Sequence, residues 1–113
     1  MHELALMAEV CDLAAAAAAA EGAQTIHRLH LRIGAQAGVD ANALRAAFAV
    51  VSSDPTWAST LLQLDVVPTR CFCSNCAQAF HPDDVIHACP DCGALSSQLL
   101  EGRELELVAL EVS

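Results

Sequence analysis

Residues 73–92 read Cys73-Ser-Asn-Cys76-Ala-Gln-Ala-Phe-His-Pro-Asp-Asp-Val-Ile-His-Ala-Cys89-Pro-Asp-Cys92, two Cys-x-x-Cys knuckles twelve residues apart. Each knuckle presents two sulfurs from one tight turn, and together they complete a tetrahedral cage of Cys73, Cys76, Cys89 and Cys92. Four thiolates suit Zn²⁺, or iron as in rubredoxin-like sites. A closed shell of soft donors leaves no position for substrate. The site is therefore expected to be structural, organising about thirty residues that lack a core of their own. Cys71 reads as an incidental thiol beside the module, and His81 and His87 as solvated loop histidines. Met1-His2-Glu3 supplies no positively charged start of an export signal, so the metal reading displaces a disulfide reading, and a reducing, cytoplasmic location is expected.

Outward from the knuckles the chain alternates. Upstream, Leu62, Leu64 and Val66 form a strand pattern that Pro68 closes. Downstream, residues 103 to 112 alternate first as Leu105 and Leu107, then as Val108, Leu110 and Val112; this change of phase predicts a bulge or a change of strand partner. Farther upstream, Leu29, Leu31 and Ile33 share one face of a strand over 25–33, with Arg28, His30 and Arg32 on the other. Leu4, Met7, Cys11 and Ala18 recur at helical steps over 2–21, with Leu6, Val10 and Leu13 widening the arc and Gly22 ending it. Asp40 caps a second helix carrying Leu44, Ala47, Phe48 and Val51, which Ser52-Ser53-Asp54-Pro55 breaks. The reading is an α+β fold: a three-stranded sheet with two helices on one face, plus an inserted zinc-ribbon-like module built on the four cysteines. Residues 1–68 plus 101–113 form the α+β domain, and 69–100 the zinc-binding domain.

Composition narrows the function. The 113 residues carry five arginines, no lysine and fourteen carboxylates, a formal charge of −9. Between 69 and 102, Arg70 alone stands against Asp83, Asp84, Asp91 and Glu101. Four thiolates around one Zn²⁺ add further negative charge, which disfavours a nucleic-acid partner. The longest apolar run, Leu13 to Ala20, is too short for a membrane span. No nucleophile triad, phosphate loop or paired carboxylate motif marks an enzyme.

At the amino end, Met1-His2-Glu3 places a terminal amine, backbone amide nitrogens and an imidazole within one chelate. Such a set suits square-planar Ni²⁺ or Cu²⁺ once the amides deprotonate. On the tripeptide alone, a frayed terminus with a solvated histidine is the simpler reading.

Several short motifs follow one another along the chain. They are Met1-His2-Glu3-Leu4, Leu29-His-Leu-Arg-Ile-Gly34, Gly38-Val39, Ala43-Leu44 with Ala47-Phe48, and Val66-Val67-Pro68. The two knuckles come next, then Gly102-Arg103-Glu104-Leu105 through Leu110-Glu111-Val112. In this order and spacing the chain resembles the HypA/HybF family of hydrogenase nickel-incorporation proteins over essentially its full length. The resemblance implies a nickel metallochaperone and not an enzyme. Nickel would fall on His2, with nitrogens from Met1 and Glu3 and the Glu3 carboxylate as a further donor; zinc would fall on Cys73, Cys76, Cys89 and Cys92. The implied partners are a nickel-binding GTPase and the [NiFe]-hydrogenase large-subunit precursor, with urease maturation proteins for some members. Cys71 and the Pro55-Thr56-Trp57 stretch depart from the usual pattern. Two other classes compete: a rubredoxin-like iron electron carrier, which would be red, and a zinc-ribbon adaptor, which the acidity disfavours in its nucleic-acid form.

Overall fold

The strand β1, Ile26–Gly34, is the centre of the molecule in the computed structural model, which describes residues 3–82 and 86–113. It pairs in parallel with β2 (Leu61–Val67) and antiparallel with β6 (Leu105–Val112), giving the order β2-β1-β6. Leu29, Leu31 and Ile33 are buried beneath the helices α1 (Glu3–Ala20) and α2 (Ala41–Val51). On the opposite face Arg28 reaches Gln63 at 3.0 Å and Glu111 at 3.6 Å, and His30 pairs with Asp65. The expected α+β architecture is observed.

The phase change in β6 is a bulge at Val108. Leu31 lies opposite Leu107 and His30 opposite Ala109, so Val108 has no partner of its own. The extra residue lets Leu105, Leu107 and Leu110 all point to the helix side, although 107 and 110 are an odd number apart. A second register shift at His27 does the same for Ile26 and Leu29.

Helix α1 buries Met7, Cys11, Ala14 and Ala18, a stripe at steps of four, three and four residues. Its end is a Schellman turn: Gly22, at φ 72°, donates to Ala19 O at 3.0 Å, and Ala23 donates to Ala18 O at 3.0 Å. Asp40 caps α2 as expected, its Oδ1 accepting from Asn42 N at 3.1 Å. Pro55–Trp57 form a single 3₁₀ turn that seats Trp57 in the core, edge-on to Phe48 with ring centroids 6.5 Å apart.

Between β2 and β6 the chain builds a second sheet, β4-β3-β5, from β3 (Arg70–Cys73), β4 (Gln78–Phe80) and β5 (Gln98–Glu101). The molecule measures 54 × 25 × 16 Å, and its two hydrophobic clusters are separate. Here the structure corrects the sequence reading. The cysteine module has a small core of its own, with Cys71, Cys73, Phe80 and Cys89 buried and Leu99 and Ala94 packed on them. Cys71 is its fully buried centre, opposite Phe80 on one side and Leu99 on the other, not an incidental thiol. Burial pushes its thiol pKa upward.

The two sheets meet at Gly34 and Gly102. Gly34 N donates to Glu104 O at 2.7 Å and Gln36 N to Gly102 O at 2.7 Å. This junction occupies Gly102 to Glu104, which is why β6 begins at Leu105 and not at 103.

Candidate metal centre

Each knuckle is a turn whose last cysteine is followed by a residue in the left-handed region, Ala77 at φ 52° and Gly93 at φ 75°. In the second knuckle, Cys89 N donates to Ala94 O at 2.9 Å and Gly93 N to Cys89 O at 2.8 Å, closing the loop on itself. Strand β3 supplies Cys73 at its end, and the β3–β4 hairpin turn supplies Cys76. Ser96 Oγ donates to Phe72 O at 2.6 Å, fastening the segment after the second knuckle to the strand that enters the first.

The result is a compact sulfur cluster. The Sγ atoms of Cys73, Cys76, Cys89 and Cys92 all lie within 4.8 Å of one another. Cys73 and Cys92 are 3.6 Å apart, and Cys76 and Cys89 are 4.0 Å apart. A tetrahedral ion with Zn–S bonds near 2.3 Å requires sulfur–sulfur edges of roughly 3.8 Å, so the cage fits zinc. Crowding pushes the Cys76 thiol up to about 12, led by its hydrogen bond with Cys92 and then by burial. Four thiolates at these distances need a central cation, and metal uptake there must release protons. Four sulfurs would complete a tetrahedral shell around such an ion, making it a cross-link.

The two loop histidines stand outside the cage. His81 Nδ1 donates to Thr69 O at 2.9 Å, and His87 Nε2 donates to Gln36 Oε1 at 2.9 Å, the tautomers following from carbonyl acceptors. His87 therefore ties the module to the loop after β1, rather than facing only solvent. Arg70 Nε donates to Glu101 Oε1 at 2.6 Å across β3 and β5.

Met1 and His2 lie outside the described residues, so the sequence-based nickel assignment is followed structurally only at Glu3. Glu3 opens α1, and its Oε1 accepts a long, 3.4 Å hydrogen bond from the backbone of Asp40, the cap of α2. The start of the first helix is thereby set beside the start of the second. This link joins residues 37 positions apart, and no local pattern signals it. Among the described residues, Cys73, Cys76, Cys89 and Cys92 form the group of metal-ligating side chains close enough to hold an ion.

Comparison with known proteins agrees along the whole chain. The family described as hydrogenase/urease nickel incorporation, metallochaperone, HypA matches residues 1–112. A hydrogenase maturation factor HypA of Chloroflexus aggregans is 43% identical over 112 residues, covering 98% of each chain. One from a Picosynechococcus species is 41% identical, covering 99% of each. The solution structure of the Ni metallochaperone HypA from Helicobacter pylori matches the fold with a TM-score of 0.66 at 22% identity, over 99% of this chain and 97% of that one. On the family match over residues 1–112 and relatives above 40% identity across nearly the whole chain, this chain belongs to the HypA family of hydrogenase and urease nickel-incorporation metallochaperones.

Proposed function

We propose that the chain carries Ni²⁺ at its amino terminus and delivers it to the large-subunit precursor of a [NiFe]-hydrogenase, while Zn²⁺ in the four-cysteine cage serves as structure. The observation that carries this reading is the family match over residues 1–112, which spans both the Met1-His2-Glu3 segment and the cage. In this reading His2 supplies the imidazole, and Met1 and Glu3 supply nitrogen donors, with the Glu3 carboxylate available as a further oxygen donor. The roles divide chemically. A closed tetrathiolate holds its ion, whereas amine, amide and imidazole donors at a chain end exchange theirs. The protein is a binding and transfer module and not an enzyme, acting in the cytoplasm with a nickel-binding GTPase; urease maturation proteins are additional candidate partners.

Residues 1–68 plus 101–113 would form the nickel-binding unit and 69–100 the zinc-binding unit, a division that the two separate hydrophobic clusters support. No helix among the described residues is long and apolar enough to cross a membrane.

The test is a calorimetric nickel titration of untagged, zinc-loaded protein beginning at Met1, comparing wild type with His2→Ala. The expected result is about one Ni²⁺ bound by wild type and lost in the variant, with zinc retained by both. Equal binding by both would overturn the assignment to His2. Imidazole and terminal amine titrate near 6.5 and 7.7–8.0 in reference compounds, so nickel affinity should fall between about pH 7.5 and 6. The zinc cage should stay loaded over that range. An iron-loaded, red protein would instead support the electron-carrier reading.

A further inference from the structure

Strand β6 ends the order β2-β1-β6, so among the described residues its outer edge has no sheet neighbour. Beside that edge, on the helix side, lies an apolar groove of about 210 Å³ lined by Leu6, Val10 and Leu13 of α1 and by Leu105 and Leu107 of β6, with Glu9 at its rim. Leu13 is 60% exposed, Leu105 40% and Leu107 37%. An unpaired backbone edge and an aliphatic slot therefore coincide, which is the arrangement that accepts an added strand. On the polar face of the same strand stand Glu106 and Glu111, half-exposed and only loosely held by Arg32 at 4.0 Å and Arg28 at 3.6 Å.

We propose that β6 and the adjoining face of α1 dock an extended segment of a partner protein in which aliphatic and basic residues alternate. The aliphatic side chains enter the slot between α1 and β6. The basic ones meet Glu106 and Glu111 on the opposite face, because successive side chains of a strand point to opposite sides. Net charge favours a basic occupant over a second copy of the chain, which would bring a second formal charge of −9 to the same edge. The self-pairing with Leu107 opposite Leu110 also sets Glu106 against Glu111 twice, and like charges directly opposite are destabilising. The proposal is independent of the nickel assignment, since none of these residues belongs to the Met1-His2-Glu3 segment.

The experiment is an amide NMR titration of ¹⁵N-labelled, zinc-loaded full-length protein. The probes are an end-capped octapeptide alternating valine and arginine, a peptide of the same composition with its valines and arginines in separate blocks, and a valine–glutamate counterpart. The alternating valine–arginine peptide should shift the amides of β6 and of the Leu6–Val10–Leu13 face, and bind about tenfold tighter than the blocked peptide, the worth of roughly one buried leucine. Leu107→Glu and Leu13→Glu should each weaken it by about tenfold; Leu13 is largely exposed, so that variant keeps the core intact. Glu106→Arg should shift the preference toward the glutamate peptide. Equal binding of the alternating and blocked peptides, shifts elsewhere on the molecule, or an unaffected Leu13→Glu variant would overturn the proposal. So would a dimer in sedimentation that Leu107→Glu dissociates, because the occupant would then be a second copy.

Discussion

Gly34→Ala tests the junction between the two sheets. A β-carbon built on Gly34 would lie 2.1 Å from the carbonyl carbon and oxygen of Gly102 and 2.4 Å from Arg103 N. These atoms are backbone, so relief requires the chain at 102–103 to retreat by more than an ångström. That movement breaks two bonds that span the junction, Gly34 N to Glu104 O and Gln36 N to Gly102 O, each 2.7 Å long. Each contributes about 1 kcal/mol, and a buried amide left unpaired costs a further 1–3 kcal/mol or so. The reduced freedom of the unfolded chain returns only about 0.4–1 kcal/mol. The net expectation is a loss of about 2–4 kcal/mol, a large share of the stability of a domain this size. Trp57, the single tryptophan, is buried against Phe48 and reports the sheet–helix core. In urea unfolding of zinc-saturated protein followed by its fluorescence, the midpoint should fall by about 1–2 M. Gly22→Ala is the control. Gly22 has positive φ but no atom within 4 Å of its added carbon, so it should lose only about 1 kcal/mol. A Gly34→Ala midpoint equal to wild type, or above that of Gly22→Ala, would refute the steric argument.

Removing the metal with a chelator should abolish amide dispersion in β3, β4 and β5 while leaving Trp57 fluorescence unchanged, because the helix–sheet core has its own buried cluster; simultaneous loss of both would argue for one cooperative unit. Ala77→Gly should stabilise the metal-loaded protein by about 1 kcal/mol, since Ala77 holds φ 52° where glycine incurs no penalty. A higher denaturant midpoint for amides of the second sheet would show it, and no change would count against a strained first knuckle. The hydrogen bond from His30 holds the Asp65 carboxyl below its ordinary range. A depressed folded value means that this contribution is present above the unfolded value near 3.9 and disappears as pH falls through the folded one. Carboxyl NMR should therefore show Asp65 titrating lower in wild type than in His30→Ala, and identical curves would dismiss the pair.

Much of the molecule was legible because its signals are short-range. The three–four–seven spacing in α1 and the alternation in β1 each repeat within a few residues, so burying one face of each element leaves few arrangements open. The double knuckle is legible for the same reason, since two thiolates from one turn must approach a common ion. Even the Val108 bulge left a trace, as an odd spacing between Leu107 and Leu110. The inserted module was less legible. Its strands are three or four residues long, too short for a period, and Cys71 looks alike in sequence whether it binds, packs or does neither.

Three further features appear only once the chain has folded. His87 meets Gln36 from 51 positions away, Glu3 meets the cap of α2 from 37, and Gly34 touches Gly102 through backbone alone. The slot between α1 and β6 belongs with them, because leucines that look like core residues in either element, Leu13, Leu105 and Leu107, remain exposed along it. Which faces are apolar and which sulfurs converge can be read along the chain, because both follow from repeats of a few residues. Tertiary structure alone decided which distant loops touch and which apolar face stays uncovered, because those depend on how finished elements pack.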